Sequence, residues 1–401
     1  MSGQAFFAPC PRGLEGVLCT ELQGLGAQGL APAQGGVGFT GPFPLCYRVN
    51  LESRIASRVL WRLSQSGYCR EQDIYRAAYG LNWPGWFASS RTIKVKVSAQ
   101  HCSLPSLDFI TLRIKDAVCD KFMAVRKVRP SVDTRRPDIR IEAFLTEKEV
   151  AFYLDTSGEP LFKRGLRRAR AAAPLRENLA AGILKLAGWT PGQPLLDPMC
   201  GSGTILLEAA QMARSIAPGL GRRFAFEKLQ GFDPTAWQTL RKASRARQRE
   251  DASAIYGCDR DPLALEAARA NLREAGLEDA VRLMRADVLE ITPPAPEGVL
   301  VANPPYGVRT GHEAELADFY PRLGDALKQR FPGWRAYVLT ADQRLPRLIG
   351  LAPSRRIPLF NGALECRLYE FLIIKGSARA LRKTAKPPAP KDGPDALPAH
   401  L

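Results

Sequence analysis

Apolar and polar residues alternate strictly over RTIKVKVSA (91–99), with Ile93, Val95 and Val97 on one side and Lys94, Lys96 and Ser98 on the other. A period of two predicts a half-buried strand. Downstream the period lengthens. Phe109, Leu112, Val118 and Phe122 recur at helical spacing after Pro105 and Ser106, which predicts a helix from Leu107 to Val125. Two more apolar runs, 138–146 and 149–155, flank Glu147 and Lys148 and predict a hairpin. The first half therefore reads as α+β.

From residue 175 strands and helices alternate. Strands are predicted at 194–198, 254–259, 281–287, 298–307 and 334–342, and helices at 177–189, 203–218, 262–277 and 317–331. One further helix, around Trp237 and Leu240, interrupts a polar, Arg-rich stretch at 214–251. Strands separated by helices predict a parallel, doubly wound sheet of Rossmann-like type. The expected organisation is an α+β region at 1–160, a basic linker at 161–174, an α/β domain at 175–376 and a disordered basic tail at 377–401.

Charge adds a partner. The chain has 57 Lys and Arg against 40 Asp and Glu, a formal net charge of +17. The excess sits mostly in residues 1–175, with 25 basic and 15 acidic groups, and in the tail. Such a chain is expected to meet a polyanion. The segment 121–140 contributes Arg126, Lys127 and Arg129, and the linker contributes Lys163, Arg164, Arg167, Arg168 and Arg170. A solvated interdomain linker is one reading of the second group; its position at a domain boundary in a basic protein favours the other, a phosphate-contacting hinge.

No run approaches the ~18 apolar residues of a membrane span, and the start MSGQAFFAPCPRG lacks the pattern of a secretory signal. Nine scattered cysteines without a CxxC pair, and three histidines, argue against a disulfide scaffold or a zinc cage. A cytoplasmic, reduced, metal-free protein is expected.

The candidate chemistry lies at the predicted strand ends. Asp197-Pro-Met-Cys-Gly201-Ser-Gly203-Thr204 joins a strand to a helix, and its glycines permit a tight turn and close ligand approach. It lacks the Gly-Lys-Ser/Thr ending of a phosphate-binding P-loop and the third glycine of a dinucleotide site, since position 206 is Leu. A cofactor without pyrophosphate remains, and the acid at Asp197 suits a cation such as S-adenosylmethionine. Asp259, ending the next strand, is placed to accept both ribose hydroxyls. Asp233 in GFDP is a rival without a preceding apolar run. Asp287, ending VRLMRAD, is placed to accept from an adenine amine; a plain helix cap is the alternative.

Asn303-Pro-Pro-Tyr306-Gly307 follows the apolar strand GVLVA. The amine of a nucleobase is a poor nucleophile because its lone pair is delocalised into the ring. The Asn303 side-chain carbonyl and the Pro304 backbone carbonyl can accept both amine hydrogens and favour a pyramidal nitrogen. Tyr306 offers a face for a base swung out of its stack. Positioning and electrostatics, not a strong base, would then carry catalysis. Cys200 has no His near it in sequence and reads as packing. Arg176, Glu177 and Asn178 either reach the methionine end of the cofactor or cap a helix.

These motifs resemble the THUMP-containing RNA guanine-N(2) methyltransferases of the RlmL type, which act on 23S ribosomal RNA. The resemblance spans about residues 5–375 and rests on DPMCGSGTILLEAA (197–210), APGL (217–220), YGCDRD (256–261), NPPYGVR (303–309) and NGALECRLYEF (361–371). KVKVSAQHCSL (94–104) and the run through FKRGLRRA resemble the THUMP module, placed at about 50–160. NPPY alone is shared with adenine-N(6) DNA methyltransferases; its combination with THUMP points to RNA. The resemblance implies cofactor contacts from Asp197, Gly201, Gly203, Asp259, Asp287 and Asn303, and a catalytic turn of Asn303, Pro304 and Tyr306. It implies S-adenosylmethionine as cofactor and large-subunit ribosomal RNA or its precursor as partner. Some relatives carry a second methyltransferase module, and a single activity is expected here. A transfer-RNA guanine methyltransferase of the same architecture and a non-catalytic ribosome assembly factor are the alternatives.

Overall fold

The computed structural model describes residues 3–165, 175–250, 254–304 and 313–374. Its N-terminal half begins with β1 (Gln4–Pro9), α1 (Glu15–Gly24), β2 (Gln28–Ala33), β3 (Gly36–Gly41), α2 (Leu45–Glu52) and β4 (Leu60–Gly67). It continues with α3 (Glu71–Gly80), α4 (Trp83–Trp86), β5 (Ile93–Ala99), α5 (Leu107–Arg126), β6 (Ile139–Leu145) and β7 (Glu149–Asp155). All seven strands share one sheet, ordered β2-β3-β1-β4-β7-β6-β5. The expected hairpin is present, with Leu145 opposite Val150. Strand β4 joins two halves by pairing with β1 on one side and β7 on the other. Helix α5 starts as its sequence predicts, with the Ser106 hydroxyl accepting from the Phe109 amide at 3.2 Å.

The second half contains α6 (Glu177–Leu186), β8 (Leu195–Asp197), α7 (Thr204–Ala213), α8 (Pro234–Ala246), β9 (Ile255–Asp259), α9 (Pro262–Glu274), β10 (Arg282–Arg285) and β11 (Gly298–Ala302). These are followed by α10 (Glu313–Arg330), β12 (Trp334–Thr340), α11 (Leu345–Leu348), β13 (Arg355–Asn361) and β14 (Leu364–Leu372). The sheet order is β10-β9-β8-β11-β12-β14-β13. Strands β8 to β12 are mutually parallel, as the alternating pattern predicts. The wholly parallel sheet expected from the sequence is corrected at its edge: β14 runs antiparallel to both β12 and β13. After β12 no crossover helix long enough to return the chain intervenes, so a hairpin closes the sheet.

The stretch 214–250 is not a solvated insertion. Phe224, Phe226 and Trp237 are buried, and Tyr47 of α2 lies against Phe226, Phe232 and Trp237 at ring centroid distances of 4.5, 5.8 and 6.2 Å. The Gly219 amide donates to the Leu51 carbonyl, and the Phe226 amide to that of Thr156. The basic stretch thus docks the first half against the second. No helix among the described residues is long and apolar enough to cross a membrane.

Candidate active site

The order of the second sheet reverses between β8 and β11, and ligands of such sheets bind in the crevice outside the strand ends at that point. The register places the candidate residues around this crevice. Leu300 pairs with Leu196, so Asn303 lies two residues beyond the level of Asp197. Asp197 pairs with Gly257, and Asp259 follows two residues later. Asp259 pairs with Arg285, and Asp287 again follows by two. Adjacent strands lie about 4.8 Å apart, so the four side chains crown four neighbouring strands.

Asp197 is 2% exposed, and its carboxylate accepts from the Met199 amide at 3.3 Å. Burial, helped by the negative charge of Asp259, pushes its carboxyl up to about 8. No ion-pair partner for it occurs among the described residues. Gly201 turns at φ +53°, and a side chain there would meet nothing within 4 Å. The open turn and the buried acid without a cation fit a cationic nucleoside. Gly203, also left-handed at φ +79°, faces the other way: a Cβ there would stand 3.2 Å from that of Ala268 on α9. Its Cα thus packs the loop against α9. Asp259 pins the loop, accepting from the Gly201 amide at 2.9 Å and the Asp261 amide at 3.0 Å. Each of its oxygens retains a second acceptor position for a ribose hydroxyl.

Asp287 lies in the turn after β10 and accepts from the Leu289 amide at 2.9 Å, the capping geometry, and it is half-buried at the crevice edge. Asn303 is half-buried and Pro304 buried, immediately after β11; Tyr306 lies outside the described residues. The rival Asp233 is the N-cap of α8, accepting from the Thr235 and Ala236 amides. Cys200 is buried, and desolvation raises its thiol far above the ordinary range, as packing and not nucleophilic chemistry requires. Asn178 is fully buried and its side-chain amide donates to the Ile55 carbonyl and the Ser57 hydroxyl, so it joins the two halves.

The expected RNA contacts divide. Arg126 and Lys127 are exposed at the end of α5, and Arg129 is exposed but paired with Asp120 at 3.1 Å. Lys163 pairs with Glu159 at 2.8 Å. Arg164 does not face solvent: it is 4% exposed and donates to Glu208 and to the carbonyls of Leu161 and Arg54. This overturns its assignment as a phosphate contact, because a guanidinium spent on buried acceptors is unavailable. Arg167, Arg168 and Arg170 lie outside the described residues. Glu208 and Arg54 were not anticipated; the signal was an acid inside the otherwise apolar face of TILLEAAQ.

The Rossmann-like sheet and the acids at its reversal point define an S-adenosylmethionine-dependent methyltransferase, joined to an N-terminal module. Three family models match successive parts of the chain: the RlmL ferredoxin-like domain at 5–60, the THUMP domain at 68–155, and the RMKL-like methyltransferase domain at 164–370. The chain belongs to the RMKL-like methyltransferase family. A Synechocystis protein named as an RNA methyltransferase is 39% identical, the match covering 91% of this chain and 96% of that one. The ribosomal RNA large subunit methyltransferase K/L of Allochromatium vinosum is 40% identical, covering 93% of this chain and 52% of its own. The chain thus spans about half the length of the K/L relatives it matches. The structure of SMU.472, a methyltransferase crystallised with S-adenosylhomocysteine, superposes with a TM-score of 0.85 at 29% identity, covering 94% of this chain and all of that one.

Proposed function

We propose that this chain methylates the exocyclic amine of a guanine in 23S ribosomal RNA. The observation that carries the reading is Asn303 and Pro304 standing beside Asp197 and Asp259 across the sheet's reversal point. S-adenosylmethionine supplies an electrophilic methyl group on a cationic sulfur. Asp197 would hold the positive amino-acid end, and Asp259 the ribose. The Asn303 side-chain oxygen and the Pro304 carbonyl would accept the two hydrogens of the guanine amine, holding its lone pair toward the methyl carbon. Transfer would form the N–C bond as the C–S bond breaks with its electrons left on sulfur, and one amine proton would pass to water. Arg126, Lys127 and Arg129, with Lys163 and the arginines of 167–170, would grip the phosphate backbone, and Tyr306 would stack on the displaced base. The K/L relatives and the THUMP match support large-subunit RNA, or its precursor, as the partner. The cysteines, all unpaired, suit a cytoplasmic setting.

The test is incubation of the purified chain with methyl-labelled cofactor and naked 23S RNA from a strain lacking the gene, with transfer RNA in parallel. Label in N(2)-methylguanosine from 23S RNA is the expected result. Label only in transfer RNA, or in a different nucleoside, contradicts it.

A further inference from the structure

Two cation–aromatic pairs border the crevice and have no part in the account above. Arg12, in the turn between β1 and α1, lies over the ring of Phe360 on β13, 5.4 Å from its centroid. Arg176, just before α6, lies over the ring of Phe162 at 5.0 Å. Both arginines are exposed, and neither guanidinium makes a hydrogen bond or ion pair among the described residues. They converge on one turn. A Cβ at Gly362, in the turn between β13 and β14, would sit 3.4 Å from the Arg176 guanidinium, and Phe360 is two residues earlier. Two residues span at most about 7 Å of chain.

Topology puts this turn at the catalytic end. Strand β14 opposes β12 with Arg367 against Thr340, so the turn at 361–364 projects beyond the carboxyl end of β12, the end at which β11 delivers Asn303. Helix α6 leads into β8 from its amino end, which leaves Arg176 at the same edge. A guanidinium stacked on a ring keeps its second face and its N–H edge for a ligand, and arginine suits both phosphate oxygens and nucleobase faces. By contrast, the exposed Arg247 is paired with Glu52 and Arg344 with Asp342.

We propose that Arg12 and Arg176, held on Phe360 and Phe162, form an RNA-contact surface that grips the phosphate backbone next to the nucleotide being modified. The inference rests on the RNA substrate proposed above. It adds a contact from the N-terminal ferredoxin-like domain and one from the methyltransferase domain, both outside the THUMP module.

The experiment measures affinity of the full chain for a naked 23S RNA transcript across a salt series, alongside S-adenosylhomocysteine affinity and the melting temperature. Each lost phosphate contact reduces the slope of log affinity against log salt by about 0.7–0.9. The double variant R12A/R176A is expected to lose about 1.5 from the slope and roughly tenfold in affinity. Cofactor affinity and melting should stay at wild-type values, and R12K/R176K should keep the slope because charge is retained. Arg356→Ala, exposed at the far end of β13, is the control and should change nothing. An unchanged slope in R12A/R176A overturns the inference, as does a parallel loss of cofactor affinity, which would give Arg176 to the cofactor. Wild-type protein that fails to bind the transcript overturns it too. Wild-type protein that binds the transcript without methylating it refutes the proposed reaction instead, and the slope still decides the surface.

Discussion

Glu208 accepts the Arg164 Nε at 3.1 Å inside the molecule, with the two side chains 1% and 3% exposed. Its other oxygen takes Arg54 Nη1 at 3.3 Å. Arg54 belongs to the N-terminal half, while Glu208 sits one turn into the helix that leaves the glycine loop. Arg54 also donates to Gln211 and the Ile216 carbonyl, and Arg164 to the Arg54 carbonyl. One buried carboxylate therefore ties the N-terminal half to the helix that carries the cofactor loop.

Removing that carboxylate leaves two guanidiniums buried without their acid. Glu208→Ala should destabilise the protein by about 3–5 kcal/mol, read by chemical denaturation. Replacing exposed Glu266 with Ala should change stability by no more than about 0.5 kcal/mol. Comparable midpoints for the two variants would contradict the buried-pair account.

Asn303 should separate chemistry from binding. Asn303→Ala removes one acceptor aimed at the amine and should lower the single-turnover transfer rate by about 10²–10³, the usual magnitude for one preorganised polar contact. RNA affinity should change little. Equal losses in transfer and RNA affinity would instead mark Asn303 as a binding residue.

The raised Asp197 carboxyl predicts a pH dependence. It ionises near 8 in the folded protein, against an ordinary value of 3.8, so at neutral pH the ligand-free site holds it mostly protonated. The group's contribution to folding is therefore greatest below its unfolded value and is lost as pH rises toward 8. Only the ionised form pairs with a cationic ligand. S-adenosylhomocysteine affinity should rise between pH 6 and about 8, by as much as about tenfold per unit, and Asp197→Asn should flatten the rise. Asp259 is the charged neighbour that opposes a negative charge on Asp197, while the thiols of Cys200 and Cys258 are held neutral by burial beside it. Calorimetry at several pH values reads the effect; a flat wild-type profile would contradict it.

The two loop glycines should fail differently. Gly203→Ala brings a left-handed backbone and a 3.2 Å contact with Ala268 into conflict, so it should cost stability of roughly 1–3 kcal/mol. Gly201→Ala carries left-handed backbone strain of about 1 kcal/mol but meets only open space, so it should cost less stability than Gly203→Ala while weakening S-adenosylhomocysteine binding. Thermal melts and titrations on the same two proteins check the contrast.

The alternating strands, helix α5 and the β8–β12 series were legible because each has one clean period. The strand-end acids followed from that placement. The β13–β14 hairpin was not: Pro358 weakens the strand signal of its first member, although β13 runs through it, and nothing local fixes its direction. The first ninety residues carried no strong period, since β2 is almost wholly exposed and β4 alternates only weakly. Arg164 misled because a run of positive charge looks the same whether its members face water or a buried acid. Its partner is 44 residues away, beyond the reach of local pattern. The docking role of 214–250 was written in Phe226, Phe232 and Trp237, whose partner Tyr47 lies on the other half of the chain.

The most direct test is a crystal structure of the full chain with S-adenosylhomocysteine. The account predicts the ribose hydroxyls on Asp259, the amino group on Asp197, and the sulfur facing the Asn303 side chain across an open pocket large enough for a purine. A sulfur that faces away from Asn303, or a ligand bound elsewhere than the Asp197–Gly201 turn, would contradict it.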